Sequence, residues 1–480
     1  MKFLILSENS NGTWPHLHFR SMGSFELRRR IEKRGHSATI IDWFTHWSIE
    51  DLKGVVKSEL AGEHEPVIAI STPFNAIDVY KLRPLLEWAI TNYPNVKVIH
   101  GGARNYDESL NDLIDVFFLG RSMEMFDAWL DNKDLSPYTE KTDPLVLVNH
   151  NFNQVIDNPV IPIIKDDDCL SKHDILGFEV GVGCKFNCIF CNYELRNAKI
   201  TKLADPLELR NYFQESYSKY GIKHYFASDD TLNETDEKLE IVLEAMSGLN
   251  YHPEITAYAR LDLITSRKQQ LELLGKIKFR SLFFGIESFN PEASKAVRKK
   301  SGLGNNYETL KNIRDLSPDT YTVGGMIIGL NGDSEESIFE SVNKVIDEKL
   351  LRSFQFGSLS ITRPTGIIGG DFYSELDKDP KKFGYKIIDV INFHHGNKNM
   401  ASYGWQGDWT NSTKANELTN RLYEYCQGKI DMLNHLEYAG LYALGVYNNT
   451  HKYEAIKNRS YTYSTLLKQS YIKNKLNLYK

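Results

Sequence analysis

Three cysteines fall within eight positions of the segment GVGCKFNCIFCNYEL, residues 181–195. Cys184, Cys188 and Cys191 are three of only five cysteines in a chain of 480 residues. Closely spaced thiolates on one loop can reach three corners of an iron–sulfur cubane, and three protein ligands for four irons leave one iron open. The spacing therefore predicts a 4Fe-4S cluster with one open coordination position, as catalysis requires.

Two other interpretations of these cysteines explain less of the pattern. A structural zinc ion could take His173 or Cys169 as its fourth ligand, but zinc ribbons and fingers bring their ligands in two pairs. The chain has no second CxxC or HxxxH. Buried cysteines that bind nothing would leave the clustering in one loop unexplained. The iron–sulfur interpretation is favoured because it accounts for the spacing.

The CxxxCxxC motif directly after a predicted strand resembles the signature of the radical S-adenosylmethionine (radical SAM) superfamily. The resemblance implies that the three cysteines hold a 4Fe-4S cluster and that SAM chelates the open iron. It also implies that one electron, supplied by an external donor such as flavodoxin or ferredoxin, cleaves SAM to a 5′-deoxyadenosyl radical. Phe190 matches the family's aromatic position, which packs near the adenine.

Later segments resemble the family in the same order. FASDDTLNE places Asp229 and Asp230 at the rim of the expected site, although either could instead be a helix N-cap. YARLD places Arg260 on the third strand, and GGMIIGLNGDSEES resembles the fifth. Within it, Gly325 and Gly329 would let SAM approach closely or would relieve packing inside a barrel.

LFFGIESFNPEASKAVRKK resembles the GIES element of the subgroup with cobalamin-binding and coproporphyrinogen-oxidase-like members. The resemblance makes Gly285, Glu287 and Lys299 cofactor-binding residues. Glu287 can accept the ribose hydroxyls and Lys299 can pair with the SAM carboxylate, unless the two are a surface ion pair. Arg298 and Lys300 flank Lys299, so the basic residue is uncertain by one position.

The elements that must position these residues follow an α/β rhythm. From residue 178, six predicted strands alternate with room for helices, which predicts a partial (β/α)6 TIM-like barrel over residues 178–365. Residues 1–130 show five strands with helical crossovers and predict a Rossmann-like, doubly wound parallel sheet. Residues 131–177 are predicted to be a linker and residues 366–480 a mainly helical C-terminal segment.

The first domain resembles the cobalamin-binding domain that precedes the barrel in one radical SAM subgroup. Its GG.H element is represented by Gly101 and Gly102, but the histidine is missing, and no DxHxxG motif is present. The resemblance implies common ancestry and makes the two glycines candidate cofactor contacts. Retention of cobalamin as a third cofactor, beside the cluster and SAM, is left open by the sequence.

Composition and charge narrow the possible classes of protein and of binding partner. The hydrophobic and charged fractions, 41% and 25%, are typical of a globular protein, and the formal net charge of −6 gives no overall attraction to nucleic acid. Seven basic residues against one acidic residue from His451 to Lys480 predict a solvated helical face, or else a polyanion contact. No apolar run is long enough for a membrane span, and the low cysteine count favours a reducing, cytoplasmic location.

The sequence thus predicts a radical SAM enzyme that acts on a small molecule, by cobalamin-dependent methyl transfer or by a rearrangement. One alternative is an RNA-modifying enzyme of the methylthiotransferase kind. Residues 1–168 contain no cysteine for the second cluster of such enzymes. Another alternative is a non-catalytic iron–sulfur protein. The substrate is not readable, and His394, His395, Trp405 and Trp409 are candidate substrate contacts by position and chemistry alone.

Overall fold

The computed structural model describes residues 1–9, 18–72, 79–102, 108–120, 122–149, 158–193, 196–198, 202–299, 306–363, 373–392, 401–447 and 453–480. His394, His395 and Lys300 lie outside these ranges.

The first sheet has seven strands and forms the N-terminal domain. These are β1 (Lys2–Ser7), β2 (Ser37–Asp42), β3 (Pro66–Ser71), β4 (Lys97–Gly102), β5 (Val116–Leu119), β6 (Thr139–Thr142) and β7 (Leu145–Val148). Their spatial order is β2-β1-β3-β4-β5-β7-β6, and only β6 is antiparallel to its neighbour. The connecting helices are α1 (Met22–Lys33), α2 (Ile49–Leu60), α3 (Val79–Asn92) and α4 (Met123–Leu130). Nearly continuous burial of β1 to β5 is typical of parallel strands covered on both faces, so the predicted Rossmann-like sheet is confirmed.

Two of these strands lie in the range predicted to be a linker. β7 pairs in parallel with β5, and β6 returns antiparallel to β7 at the edge of the sheet. The prediction was wrong here because LVLV, residues 145–148, is too short an apolar run to stand out among the surrounding prolines and charges.

The second sheet has six parallel strands in the order β13-β12-β11-β10-β9-β8, which confirms the predicted partial barrel. The strands are β8 (Ile175–Phe178), β9 (His224–Ala227), β10 (Glu254–Ala259), β11 (Ser281–Glu287), β12 (Tyr321–Ile328) and β13 (Ser353–Ser358). The helices between them are α5 (Pro206–Tyr220), α6 (Asp236–Met246), α7 (Leu261–Ser266), α8 (Lys268–Ile277), α9 (Pro291–Ala296), α10 (Asn306–Leu316) and α11 (Glu335–Asp347). Asp205 caps α5 by accepting from Leu207 N, and Gly221 ends it at φ +70°.

The C-terminal segment is less helical than predicted. It begins with a small antiparallel sheet of β14 (Thr362–Arg363), β16 (Ala401–Gln406) and β15 (Lys386–Asn392), with α12 (Glu375–Lys378) beside it. The helices α13 (Ser412–Cys426), α14 (His435–Ala443) and α15 (Tyr453–Asn477) follow. β16 was missed because its sequence, ASYGWQ, has few β-branched residues.

Helix α14 covers the end of the barrel at which the strands begin. Tyr438 stacks on Tyr321, the first residue of β12, with ring centroids 3.9 Å apart. Ser281, the first residue of β11, donates its hydroxyl to the His435 carbonyl. The opposite end, where the strands finish, remains available for ligands.

Buried ion pairs join the N-terminal domain to the barrel. The Arg20 guanidinium bonds to Asp42 of β2 and to Asp174 just before β8, and it packs against the rings of Trp43 and Tyr471. Phe19 forms a parallel bridge to Ile175 of β8. The two domains are therefore held in a fixed relation close to the start of the cysteine loop.

Helix α15 packs against the N-terminal domain and changes the interpretation of the basic tail. Lys468 and Lys475 are fully buried. Lys475 donates to the Asp167 carbonyl, and Lys468 lies 3.2 Å from the ring nitrogen of His46. These two lysines do not form the solvated face that was predicted; they fasten the helix. Among the helices that the structure describes, none has both the length and the apolar character needed to cross a bilayer.

Candidate active site

The three predicted cluster ligands lie around one small cavity at the carboxyl ends of the barrel strands. This cysteine cavity has a volume of about 180 Å³ and is lined by Cys184, Cys188 and Cys191 together with residues from the ends of β9, β10 and β11. Burial raises the pKa of the Cys191 thiol to about 12 and also raises that of Cys184. A bound cation would be needed to keep such thiols ionised, as thiolate ligation requires.

The arrangement of the thiols fits a cluster better than a single ion. Within the described ranges, no three His, Cys, Asp or Glu side chains converge as ligands of one metal ion. In a cubane each cysteine binds a different iron, so the thiols need only surround a common space. His173 and Cys169, the alternative zinc ligands, do not line this cavity, and His173 Nδ1 contacts the Ala443 carbonyl instead.

The cysteine loop is fixed at its start by a buried carboxylate. Asp229 has no exposed side-chain surface and accepts from the amides of Val180 and Gly181, at 2.8 and 2.9 Å. It also pairs with the buried ammonium of Lys238 at 2.5 Å. Asp229 does not line the cysteine cavity, so the structure gives it a supporting place instead of the predicted cofactor contact. Its neighbour Asp230 does line the cavity.

The other predicted residues of the barrel rim mostly gather at the same cavity. Its lining includes Phe190, Asp230, Arg260, Gly285, Glu287 and Lys299. The Lys299 ammonium lies 3.0 Å from Glu287 Oε1 and donates to the Gly285 carbonyl at 2.9 Å. Lys299 is only 7% exposed, so this is not a surface ion pair. Arg298 points elsewhere and forms a two-pronged pair with Glu375, so Lys299 is the one of these two described basic residues that lines the cavity.

Backbone geometry explains why Gly285 precedes Glu287. A Cβ at Gly285 would lie 2.8 Å from Glu287 Oε1 and 3.1 Å from Lys299 Nζ, so a side chain there would disturb the pair. Glu287 itself has φ +65°, and the pairing of β11 with β12 shifts by one residue at this point. Such a left-handed residue at a bulge is strained, and strain of this kind is often kept where it aims a side chain into a site.

Gly325 and the tryptophans lie in packed regions. A Cβ at Gly325 would collide with the Phe283 ring, and one at Gly329 would lie 2.5 Å from Trp405. Both glycines therefore make room for neighbouring rings, so the predicted contact of Gly325 with the cofactor is not what the geometry supports. Trp405 is fully buried, with its indole N–H on the Leu359 carbonyl. Trp409 donates to the Leu330 carbonyl, and neither tryptophan lines either of the two cavities described here.

Sequence reasoning missed several residues of the cysteine cavity. Phe186, Thr231, Tyr258 and Phe283 also line it. Tyr258 and Phe283 occupy inward positions of β10 and β11, two residues before Arg260 and Gly285. Alternation along the strands was the available signal, but apolar inward residues of a barrel look like core.

A second, larger cavity lies between the N-terminal domain and the barrel. This interdomain cavity has a volume of about 630 Å³. It is lined by Asn9 after β1, by Ser71 at the end of β3 and by Gly101, Gly102 and Gly120 near the ends of β4 and β5. In the strand order β2-β1-β3, the gap between β1 and β3 is the switch point where open α/β sheets bind ligands. Asp230 and Tyr258 line both cavities, so the two meet at these residues.

These features define an α/β protein with a doubly wound sheet, a partial barrel and a three-cysteine site at the carboxyl ends of the barrel strands. Residues 178–345 match the radical SAM superfamily. The chain therefore carries a radical SAM domain, and the predicted resemblance is confirmed. Members of this superfamily use a 4Fe-4S cluster and SAM.

Individual proteins are similar over parts or all of the chain. The hopanoid C-2 methylase of Rhodopseudomonas palustris is 25% identical over 183 residues, which are 37% of this chain and 34% of that protein. The bacteriochlorophyllide d C-12(1)-methyltransferase of Chlorobaculum tepidum is 22% identical over 305 residues, 62% of this chain and 59% of that protein. The matched regions thus span about a third and three fifths of the length of these relatives.

A solved structure shares the whole architecture. The radical SAM methyltransferase TsrM of Kitasatospora setae, with tryptophan and a SAM analogue bound, aligns with a TM-score of 0.63 and 13% identity. The alignment covers 97% of this chain and 99% of that one. A second TsrM structure contains cobalamin and a [4Fe-4S] cluster. At this identity the similarity establishes a common fold, with the N-terminal sheet and the barrel in the same order.

Proposed function

We propose that this protein is a radical SAM enzyme that cleaves SAM reductively and methylates a small molecule with the help of cobalamin. The observation that carries the proposal is the meeting of the two cavities at Asp230 and Tyr258. One cavity holds three thiols, and the other occupies the ligand-binding edge of the N-terminal sheet. A substrate at the junction would be reached from both sides. The methylase names of the relatives support methyl transfer over a rearrangement.

The residues of the cysteine cavity suit the cofactors that the radical SAM domain implies. Cys184, Cys188 and Cys191 would hold a 4Fe-4S cluster, which when bound supplies the electron that cleaves SAM. Glu287 and Lys299, already fixed by their mutual pair, would bind the ribose hydroxyls and the carboxylate of SAM. Phe190 would pack against the adenine.

The interdomain cavity suits cobalamin by its position and by its lining. Gly101, Gly102 and Gly120 leave backbone exposed at the strand ends, and Phe118, Met123 and Phe226 give the cavity apolar walls. Cobalamin when bound would supply a cobalt that carries a methyl group. No histidine is among the described residues that line the cavity, so these residues offer no imidazole to the metal.

The electron must come from outside the chain. We propose a flavodoxin- or ferredoxin-type donor because the sequence has only Cys169 and Cys426 besides the three cysteines of the loop, too few for a second cluster that could pass on the electron.

Anaerobic reconstitution with iron, sulfide and cobalamin tests the proposal. The expected result is about four irons and four sulfides per chain, a corrin absorption band that survives gel filtration, and 5′-deoxyadenosine or S-adenosylhomocysteine when SAM is added with dithionite or reduced flavodoxin. A reconstituted protein that has no cluster and forms neither product would contradict the proposed function. A cluster with SAM cleavage but no corrin band would retain the radical SAM function and remove the cobalamin.

An RNA-modifying function is less well supported. The tail that could have served as a polyanion contact has two of its lysines buried against the N-terminal domain. Retention of tRNA by the purified protein would reverse this conclusion.

A further inference from the structure

Arg260 touches a cluster ligand instead of standing free at the cavity rim. Its Nη1 donates to Cys188 Sγ at 3.3 Å. The other edge of the guanidinium binds Asp262 with two bonds, Nε to Oδ1 at 3.0 Å and Nη2 to Oδ2 at 2.7 Å. The Phe186 ring lies against its face, with Cζ 3.9 Å from the ring centroid. Arg260 is 5% exposed, so the guanidinium is fixed on three sides.

A fixed cationic donor on a cluster ligand has a predictable electrostatic effect. Reduction adds negative charge to an iron–sulfur cluster and its cysteine sulfurs. Hydrogen bonds to those sulfurs, and positive charge beside them, stabilise the reduced form and raise the reduction potential. Because Asp262 fixes the orientation of the Arg260 guanidinium, the N–H group that points at Cys188 does not have to be reoriented when the cluster is reduced.

The same contacts make Arg260 a poor partner for the SAM carboxylate. A carboxylate is best bound by two parallel N–H groups of one guanidinium edge. Here one edge is taken by Asp262, and Nη1 is directed at sulfur. SAM would have to displace Asp262 or Cys188 to obtain a two-pronged contact. Lys299 contacts Glu287 and the Gly285 carbonyl, so it needs no such displacement of a cysteine.

We propose that Arg260 is a positioning residue that acts through Cys188 and raises the reduction potential of the cluster, instead of the SAM contact that its sequence position implies. The proposal rests on the proposed function, since it requires the cluster to be present.

The test is an EPR-monitored redox titration of the reconstituted protein without SAM. In Arg260→Met, the ratio of reduced to oxidised cluster at a fixed potential is expected to fall about tenfold, equivalent to about 59 mV for a one-electron couple. Arg260→Lys keeps the charge but cannot bind sulfur and Asp262 together, so a smaller fall is expected.

A matched control is Arg267→Met. It removes an equal charge from the same side of the loop, but Arg267 donates to the Glu234 carbonyl and not to a sulfur. Its titration curve should stay close to that of the unchanged protein. Iron and sulfide are measured for every variant, and Arg260→Lys decides the question if Arg260→Met does not assemble a cluster.

An unchanged potential in fully loaded Arg260 variants overturns the proposal. If SAM binds more weakly in those variants at an unchanged potential, Arg260 is a SAM contact after all. Absence of iron from the unchanged protein would instead defeat the proposed function, so the two failures can be told apart.

Discussion

Glu287 and Lys299 hold each other at the rim of the cysteine cavity. The pair is nearly buried, and the Gly285 carbonyl takes a further bond from the ammonium. A buried pair of this kind contributes little net stability, because desolvation offsets the attraction. The ion pair instead fixes the positions of two polar groups that line the cavity beside the thiols.

Replacing Lys299 with Met is expected to weaken SAM binding at least tenfold, about 1.4 kcal/mol. The change removes the cation proposed for the SAM carboxylate and leaves Glu287 without its partner. Equilibrium dialysis of SAM against the reconstituted protein measures the effect. Lys295→Met, at an exposed position of α9, is the control and should bind SAM normally. Equal affinities in the two variants would contradict the proposed role.

The buried carboxyl of Asp333 makes the stability of the fold depend on pH. Burial raises the pKa of this carboxyl to about 7, while Ser288 donates to Oδ1. An unfolded Asp titrates near pH 4, so the stabilisation from the protonated folded form is complete below about pH 4 and is lost as the pH rises to about 7. The limiting slope is about 1.4 kcal/mol per pH unit.

Asp333→Asn should therefore flatten the decline of Tm between pH 4.5 and 7.5, because an amide does not titrate. Thermal unfolding of both proteins across this range measures the difference. Parallel Tm curves for the two proteins would show that Asp333 titrates normally.

At the scale of elements, the end of β8 is joined to the loop after β9. Asp229 accepts two amides from the start of the cysteine loop and pairs with Lys238 on α6. Three elements therefore meet at one buried carboxylate, and the position of Cys184 depends on it.

Asp229→Asn is expected to destabilise the protein by about 3–5 kcal/mol, because it leaves the buried Lys238 ammonium without its direct ion-pair partner. Less iron should be incorporated per chain as the loop loosens. The double variant Asp229→Asn/Lys238→Met should recover part of the stability, since no uncompensated charge remains. Lys219→Met, in an exposed pair on α5, should change stability by less than about 1 kcal/mol. The Tm and the iron content of each variant measure these effects. An Asp229→Asn protein with unchanged Tm and a full complement of iron would contradict the supporting role of Asp229.

The elements differ in how well the sequence predicted them. Five of the six barrel strands lie where they were predicted, as apolar runs alternating with helical patterns such as the one capped at Asp205 and Gly221. The first strand was predicted from residue 178 onward, whereas β8 ends at Phe178. The cysteines, Phe190, Glu287 and Lys299 were predicted from short local motifs, and the structure brings them to one cavity. β6, β7 and β16 were missed because a strand of four residues, polar in β6 and apolar in β7, or a Gly-containing strand carries little local signal. Their pairing depends on neighbours far away in the chain.

At the scale of the whole molecule, long-range contacts decide what the sequence could not. Arg20 forms ion pairs with Asp42 and Asp174, which lie 22 and 154 positions away along the chain. Its guanidinium also packs against the ring of Tyr471 on α15. No local sequence pattern predicts such a contact. It nevertheless sets the relation of the two domains and so creates the interdomain cavity next to the cysteine cavity. Gly101 and Gly102 were predicted from a degraded motif, and their position on that cavity wall follows from the docking.

Filling the interdomain cavity should separate the two cofactor sites. A Cβ at Gly101 would make ordinary contacts, 3.8 Å from Phe118 Cβ and 3.9 Å from Ser122 Oγ, so the backbone can accept a side chain. In Gly101→Leu the added atoms would occupy part of the cavity, and the corrin band retained after gel filtration should fall at least tenfold. Iron content and SAM cleavage should be unchanged, because the cysteine cavity meets this one only at Asp230 and Tyr258 among the described residues. Gly54→Leu, at an exposed position of α2 where a Cβ meets nothing within 4 Å, is the control. Normal corrin retention in Gly101→Leu would place cobalamin elsewhere, and a joint loss of corrin and iron would indicate that the two sites cannot be uncoupled.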